Sequence, residues 1–132
     1  MAPFVIAELK RFPGEVHVVF GNNDGDRFLL SRLAAHTNVT LHGEVATLEL
    51  GGRSLLATHD PKAAEAFAAT GRYAAVFYGH VHQAGEARVG ETLLLGAGEL
   101  MGFKEKPSFA LYDTETNAAE RVSLAAEWPV YA

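Results

Sequence analysis

Apolar residues along the chain fall into short runs whose period changes, and each change marks a new element. Val5, Leu9 and Phe12 recur at i, i+4 and i+7, which predicts a helix over residues 3–12 with Pro3 in its first turn. Pro13-Gly14 ends that helix, and Val16-His17-Val18-Val19-Phe20 reads as a buried strand. The next six residues, Gly21-Asn22-Asn23-Asp24-Gly25-Asp26, all favour turns or positive φ, and Asp26 suits the N-cap of a helix over residues 27–35. Residues 45–50 and 53–58 are strand-like and joined by Gly51-Gly52, a tight-hairpin signal. Asp60 and Pro61 then read as N-cap and first-turn proline of a helix that places Ala64, Phe67 and Ala68 on one face and closes at Gly71.

Beyond residue 74 the pattern becomes β. An apolar run over residues 74–78 leads into Gly79-His80-Val81-His82. Residues 85–89 and 92–95 flank the turn Gly90-Glu91, and residues 109–113 and 120–124 flank a turn over 114–117. A glycine-rich loop over residues 96–102 lies between these hairpins, and the tail carries Trp128 and Tyr131 as an exposed-looking aromatic patch.

Composition narrows the function classes. At 132 residues, 48% hydrophobic and 20% charged, the chain is expected to form one globular domain over residues 1–132. Its net charge is −5, and seven arginines and four lysines are scattered, which argues against a nucleic-acid footprint. The absence of cysteine excludes disulfides and thiolate metal sites, so a metal would need His, Asn, Asp or Glu. No apolar run is long enough to span a membrane and no signal-peptide pattern is present, which makes the cytoplasm the expected location.

The candidate chemistry lies at strand ends. Asn22, His59, His80 and His82 each follow a hydrophobic strand at its C-terminal end, where open α/β sheets keep their sites. If those strands run parallel in one sheet, the four side chains converge on one crevice. Imidazole nitrogens with an amide oxygen suit Mn, Fe, Co, Ni or Zn rather than Ca or Mg. Taken alone, a His-x-His pair past a strand is as readily a surface feature as a ligand pair. His17, flanked by valines, reads as structural, and His36 and His42 as a helix-end and a loop residue.

Gly21-Asn22-Asn23-Asp24, Thr58-His59 and Gly79-His80-Val81-His82 resemble, in order and spacing, three motifs of the calcineurin-like metallophosphoesterases, in particular the small single-domain YfcE-like phosphodiesterase branch. The resemblance covers nearly the whole chain, including both hairpins and the glycine-rich loop. It implies an α/β fold of the metallophosphoesterase type, an α/β/β/α sandwich with two mixed sheets flanked by helices. It also implies two-metal hydrolysis of a phosphoester, a small molecule, by two divalent ions (Mn, Fe, Ni or Zn), and frequent homo-oligomers. By motif position Asn22, His59 and His80 bind one ion and His82 the other. Asn23 and Asp24 stand at catalytic positions, and Gly98 in the glycine-rich loop faces substrate.

The departures are specific. The family's DxH and GD motifs, with three metal ligands, have no counterpart here, so the first strand-helix-strand unit is expected to be missing from the sheet. Either the chain is an N-terminally truncated fragment or it is a shortened domain that has lost the chemistry. Asn23 stands where many members carry a histidine that protonates the leaving group, and an amide cannot do that. Asp60-Pro61 replaces the usual Gly-His after His59, although the helix N-terminus behind it can receive a phosphate oxygen. A second function class stays open, a binding module similar to the metallophosphoesterase-like subunit of the retromer coat, for which Phe103, Trp128 and Tyr131 would supply the surface.

Overall fold

The structure, a computed structural model, describes residues 1–124. Trp128 and Tyr131, and with them the expected aromatic patch of the tail, lie outside the described residues. The chain divides into two compact units, Met1–Ala46 and the residues from Thr47 onward.

The first unit holds helix α1 (Phe4–Leu9), strand β1 (Val16–Val18), helix α2 (Arg27–Ala34) and strand β2 (Val39–Leu41). β1 and β2 pair in parallel, Val16 opposite Val39, and form a sheet of their own. Its core is Ile6, Phe20, Leu30, Ala34 and Val39, with Leu9, Val16, Val18 and Leu41 packed against them. α1 therefore buries Ile6 and leans on Leu9, whereas Phe12, expected on the buried face, is 60% exposed and lies beyond the helix end. The expected helix over 3–12 is a six-residue one, because Pro13-Gly14 lets the last turn unwind. β2 was not expected. It is three residues long, and only Val39 and Leu41 around Thr40 mark it in the sequence.

α2 begins as the sequence predicts, with the Asp26 side chain accepting from the Leu29 amide at 2.9 Å. It ends where Ala34 and Ala35 give way to His36, at φ 61°, the left-handed residue past the helix that an asparagine or glycine usually supplies.

In the second unit a five-stranded sheet runs in the order β3 (Val45–Leu50), β4 (Arg53–Thr58), β5 (Ala75–Tyr78), β7 (Thr92–Ala97) and β6 (Ala84–Val89). β4, β5 and β7 are parallel neighbours, with Leu55 opposite Ala75 and Ala75 opposite Leu93, while β6 returns antiparallel to β7. Both two-residue turns form where expected: Gly51 and Gly52 have φ 56° and 73°, and Gly90 has φ 59°. The central position of β7 explains its uninterrupted apolar run, since residues from Thr92 to Gly96 are buried on both faces.

One face of this sheet is covered by helix α3 (Pro61–Ala69), which links β4 to β5 and buries Ala64 and Ala68, small residues that let it sit close. The Asp60 carboxylate accepts from the Ala63 amide at 2.8 Å, and Pro61 occupies the first helical position. Against the other face lies the hairpin of β8 (Ser108–Asp113) and β9 (Ala118–Ser123). Its Ala110, Tyr112 and Ala119 pack on a core of Leu55, Ala75, Leu93 and Leu95, with the Tyr112 ring edge-on to Phe77 at 5.4 Å. The unit is thus a helix, a mixed sheet and a second sheet in layers.

Candidate metal centre

β4 and β5 run side by side and end at the same rim, so the residues that follow them meet. His59 directly follows β4 and is pinned on its far side by the cap of α3. Past β5, the Gly79 amide donates back to the His59 carbonyl at 3.3 Å, and the Val81 amide closes a tight turn on the Gly79 carbonyl at 2.8 Å. The sharp bend expected at Gly79 is instead taken by the two histidines, His80 at φ 69° and His82 at φ 58°. Left-handed conformations at non-glycine residues cost free energy and persist where surrounding structure over-determines them, characteristically at functional sites.

This bend turns the imidazoles apart. His80 Nδ1 faces His59 Nε2 at 3.1 Å, the two rings nearly perpendicular. His82 points the other way, donating from Nδ1 to Glu99 Oε2 at 2.7 Å. Two imidazole nitrogens bound to one ion at about 2.0–2.1 Å each stand roughly 3 Å apart, so the His59–His80 spacing fits one edge of a coordination polyhedron. Among the described residues no group of three or more His, Asp or Glu side chains is gathered to hold an ion. The histidines thus fit as a ligand pair with open positions beside it.

Glu99 is the site residue that sequence reasoning missed. It is 7% exposed, and its second oxygen, Oε1, accepts from the amides of Lys104 and of Glu105, the latter at 3.0 Å. Burial works to raise its pKa, but the Lys104 amide, His82 and the Glu105 amide together outweigh that and hold the carboxyl at about 2. The only signal in the sequence was a single charge inside the otherwise apolar loop over residues 96–102. Neighbouring contacts staple this loop to the histidine turn: Lys104 Nζ donates to the Val81 carbonyl at 3.3 Å, Glu105 accepts from the Ala84 amide at 2.9 Å, and Phe103 lies 6.2 Å from the His82 ring.

Gly98, expected at the substrate, has a structural reason to be glycine. Its φ is 88°, and a Cβ there would stand 2.5 Å from Ser108 Oγ. The remaining expected site residues belong to the first unit. Asn22 and Asn23 are exposed in the loop between β1 and α2. Asp24 is turned inward, accepting from the Gly21 amide and paired with the Met1 ammonium. Arg27 braces the same loop, bonding Glu44 at 2.7 Å and the Gly21 carbonyl at 3.4 Å while its guanidinium lies over the Phe20 ring. β1, which leads to Asn22, pairs only with β2, so the single sheet expected to carry all four ligands is two sheets among the described residues.

Comparison with known proteins extends these observations. The sequence matches the calcineurin-like phosphoesterase superfamily domain over residues 1–117. It is 26% identical to the phosphodiesterase MJ0936 of Methanocaldococcus jannaschii over 125 residues, 92% of this chain and 75% of that protein. The solved structure of an archaeal phosphodiesterase is similar at a TM-score of 0.84 and 26% identity, covering 93% of this chain and 77% of that one. Vps29 of Entamoeba histolytica, solved with zinc, is similar in fold at a TM-score of 0.53 and 17% identity, over 93% of this chain and 90% of that one. The metallophosphoesterase-like α/β fold implied by the sequence motifs is therefore the fold found.

Proposed function

This chain belongs to the calcineurin-like phosphoesterase superfamily, and from that premise we propose that it hydrolyses a small-molecule phosphoester with the help of divalent metal ions. The reading rests on one observation, the facing nitrogens of His59 and His80 at 3.1 Å on the ends of adjacent parallel strands. In it, His59 and His80 hold one ion with the amide oxygen of Asn22, and His82 serves a second. Mn, Fe, Ni or Zn suits these donors. When bound, such ions supply Lewis acidity toward phosphate oxygens and a hydroxide at neutral pH.

The protein's own part is arrangement. The cap at Asp60 fixes the start of α3 directly after His59, so the positive end of that helix faces the place where a phosphate oxygen would rest. Asn23 has no proton to give a departing alkoxide, which favours esters with acidic leaving groups. Asp24 acts through the loop, holding Gly21-Asn22-Asn23 in shape rather than touching the reacting atoms. Action in the cytoplasm accords with this chemistry.

The test is hydrolysis of bis(p-nitrophenyl) phosphate by the purified chain with and without added Mn²⁺. Metal-dependent cleavage that disappears in His80→Ala supports the reading, and cleavage that survives His80→Ala overturns it. A second reading, a binding module without catalysis, is favoured by the loop after β7, where Leu100, Met101 and Phe103 are 59%, 69% and 73% exposed. Metal analysis separates the two, since stoichiometric metal on the purified chain belongs to the enzyme reading, whereas a folded, metal-free chain belongs to the module.

A further inference from the structure

Glu99 spends its two oxygens on different tasks. Oε1 receives the amides of Lys104 and Glu105 and so ties down the loop. Oε2 plays no part in that, and is directed at His82 Nδ1 at 2.7 Å. A carboxylate at neutral pH only accepts hydrogen bonds, so the proton between them belongs to the imidazole. A loop staple alone would need Oε1 and nothing more. Neither side chain is free to drift: Glu99 is nearly buried, and the His82 turn is held by the Lys104 ammonium on the Val81 carbonyl and by Ala84 on Glu105.

We propose that Glu99 is the positioning residue of His82: it holds the ring with the proton on Nδ1, and thereby presents Nε2 with its lone pair outward as the atom that meets a cation. Carboxylate partners of this kind fix the tautomer of metal-binding histidines and raise their basicity. The inference deepens the phosphoesterase reading and rests on it for the use made of Nε2; the tautomer itself does not depend on it.

The experiment is two-bond ¹H–¹⁵N correlation NMR of the full chain at mildly alkaline pH, with His82 assigned by His82→Gln, together with calorimetric titration by Zn²⁺ alone. The wild type should show His82 protonated at Nδ1. Glu99→Gln keeps a carbonyl oxygen for the two loop amides but turns an NH₂ toward the ring, so the proton should move to Nε2 and Zn²⁺ binding weaken by roughly ten- to a hundredfold. His82 protonated at Nε2 in the wild type overturns the proposal, and that measurement needs no variant to fold. An unchanged tautomer and Zn²⁺ affinity in folded Glu99→Gln also overturn it. His59→Ala with His80→Ala should lose Zn²⁺ affinity while His82 keeps its Nδ1 proton. A wild type that binds no Zn²⁺ yet shows the Nδ1 proton sinks the metal reading and leaves the positioning role standing.

Discussion

A left-handed backbone at a residue with a Cβ is a cost the surrounding structure must carry, about 1–3 kcal/mol for bulky side chains. His80 and His82 both bear it, which separates what their backbone does from what their rings do. His80→Gly should therefore match or exceed the wild type in urea stability while losing metal-dependent hydrolysis, and His80→Val should lose both. Equal stability of the Gly and Val variants would contradict this. Glu99 makes a prediction in pH. Its folded-state pKa of about 2 lies below the ordinary 4.5, so its contribution to stability is complete above 4.5 and fades as pH falls toward 2. The stability difference between wild type and Glu99→Gln should shrink across that window, read from thermal midpoints. Residue types were legible where local: Asn22, His59, His80 and His82 stand at strand ends as expected. The role of Glu99 was not, because its partner is 17 residues away and no spacing rule links a loop carboxylate to a histidine turn.

At the scale of elements, the readable parts were those with a local chemical reason. Gly51-Gly52 and Gly90-Glu91 announced their hairpins, and Asp60-Pro61 announced α3, because positive φ and capping are properties of two or three adjacent residues. What failed were elements defined by their partners. β2 exists because β1 lies beside it, and α1 buries Ile6 rather than the face through Phe12 because α2 and the β1–β2 sheet lie on that side. Asp60→Ala removes the acceptor for the Ala63 amide and should cost about 1 kcal/mol by denaturant titration. Since His59 is the preceding residue, metal affinity should fall with it; a destabilised variant with unchanged affinity would show that α3 does not hold the ligand in place.

For the whole molecule, a ligand that binds only the folded chain raises stability by mass action. Saturation at a hundred times the dissociation constant is worth about 2.7 kcal/mol. Mn²⁺ or Zn²⁺ should thus raise the thermal midpoint of the wild type, and the shift should vanish in the His59→Ala, His80→Ala double variant. Persistence of the shift would place the ions elsewhere. The fold class was legible because three short motifs in order constrain an entire topology. The division into two units was not, since it depends on where packing is sparse, a property no single stretch of residues carries.

The 21 residues between His59 and His80 include all of α3, so the facing nitrogens come into being only when that crossover has docked and β5 has found its register against β4. Parallel pairing of this kind is among the slower events in assembly, whereas the helix itself forms in a microsecond or less. Cobalt(II), which gains visible colour on taking imidazole nitrogens, would then act as a clock in a stopped-flow experiment. Its absorbance should appear with the late phase of refolding and lag the early gain of helical circular dichroism.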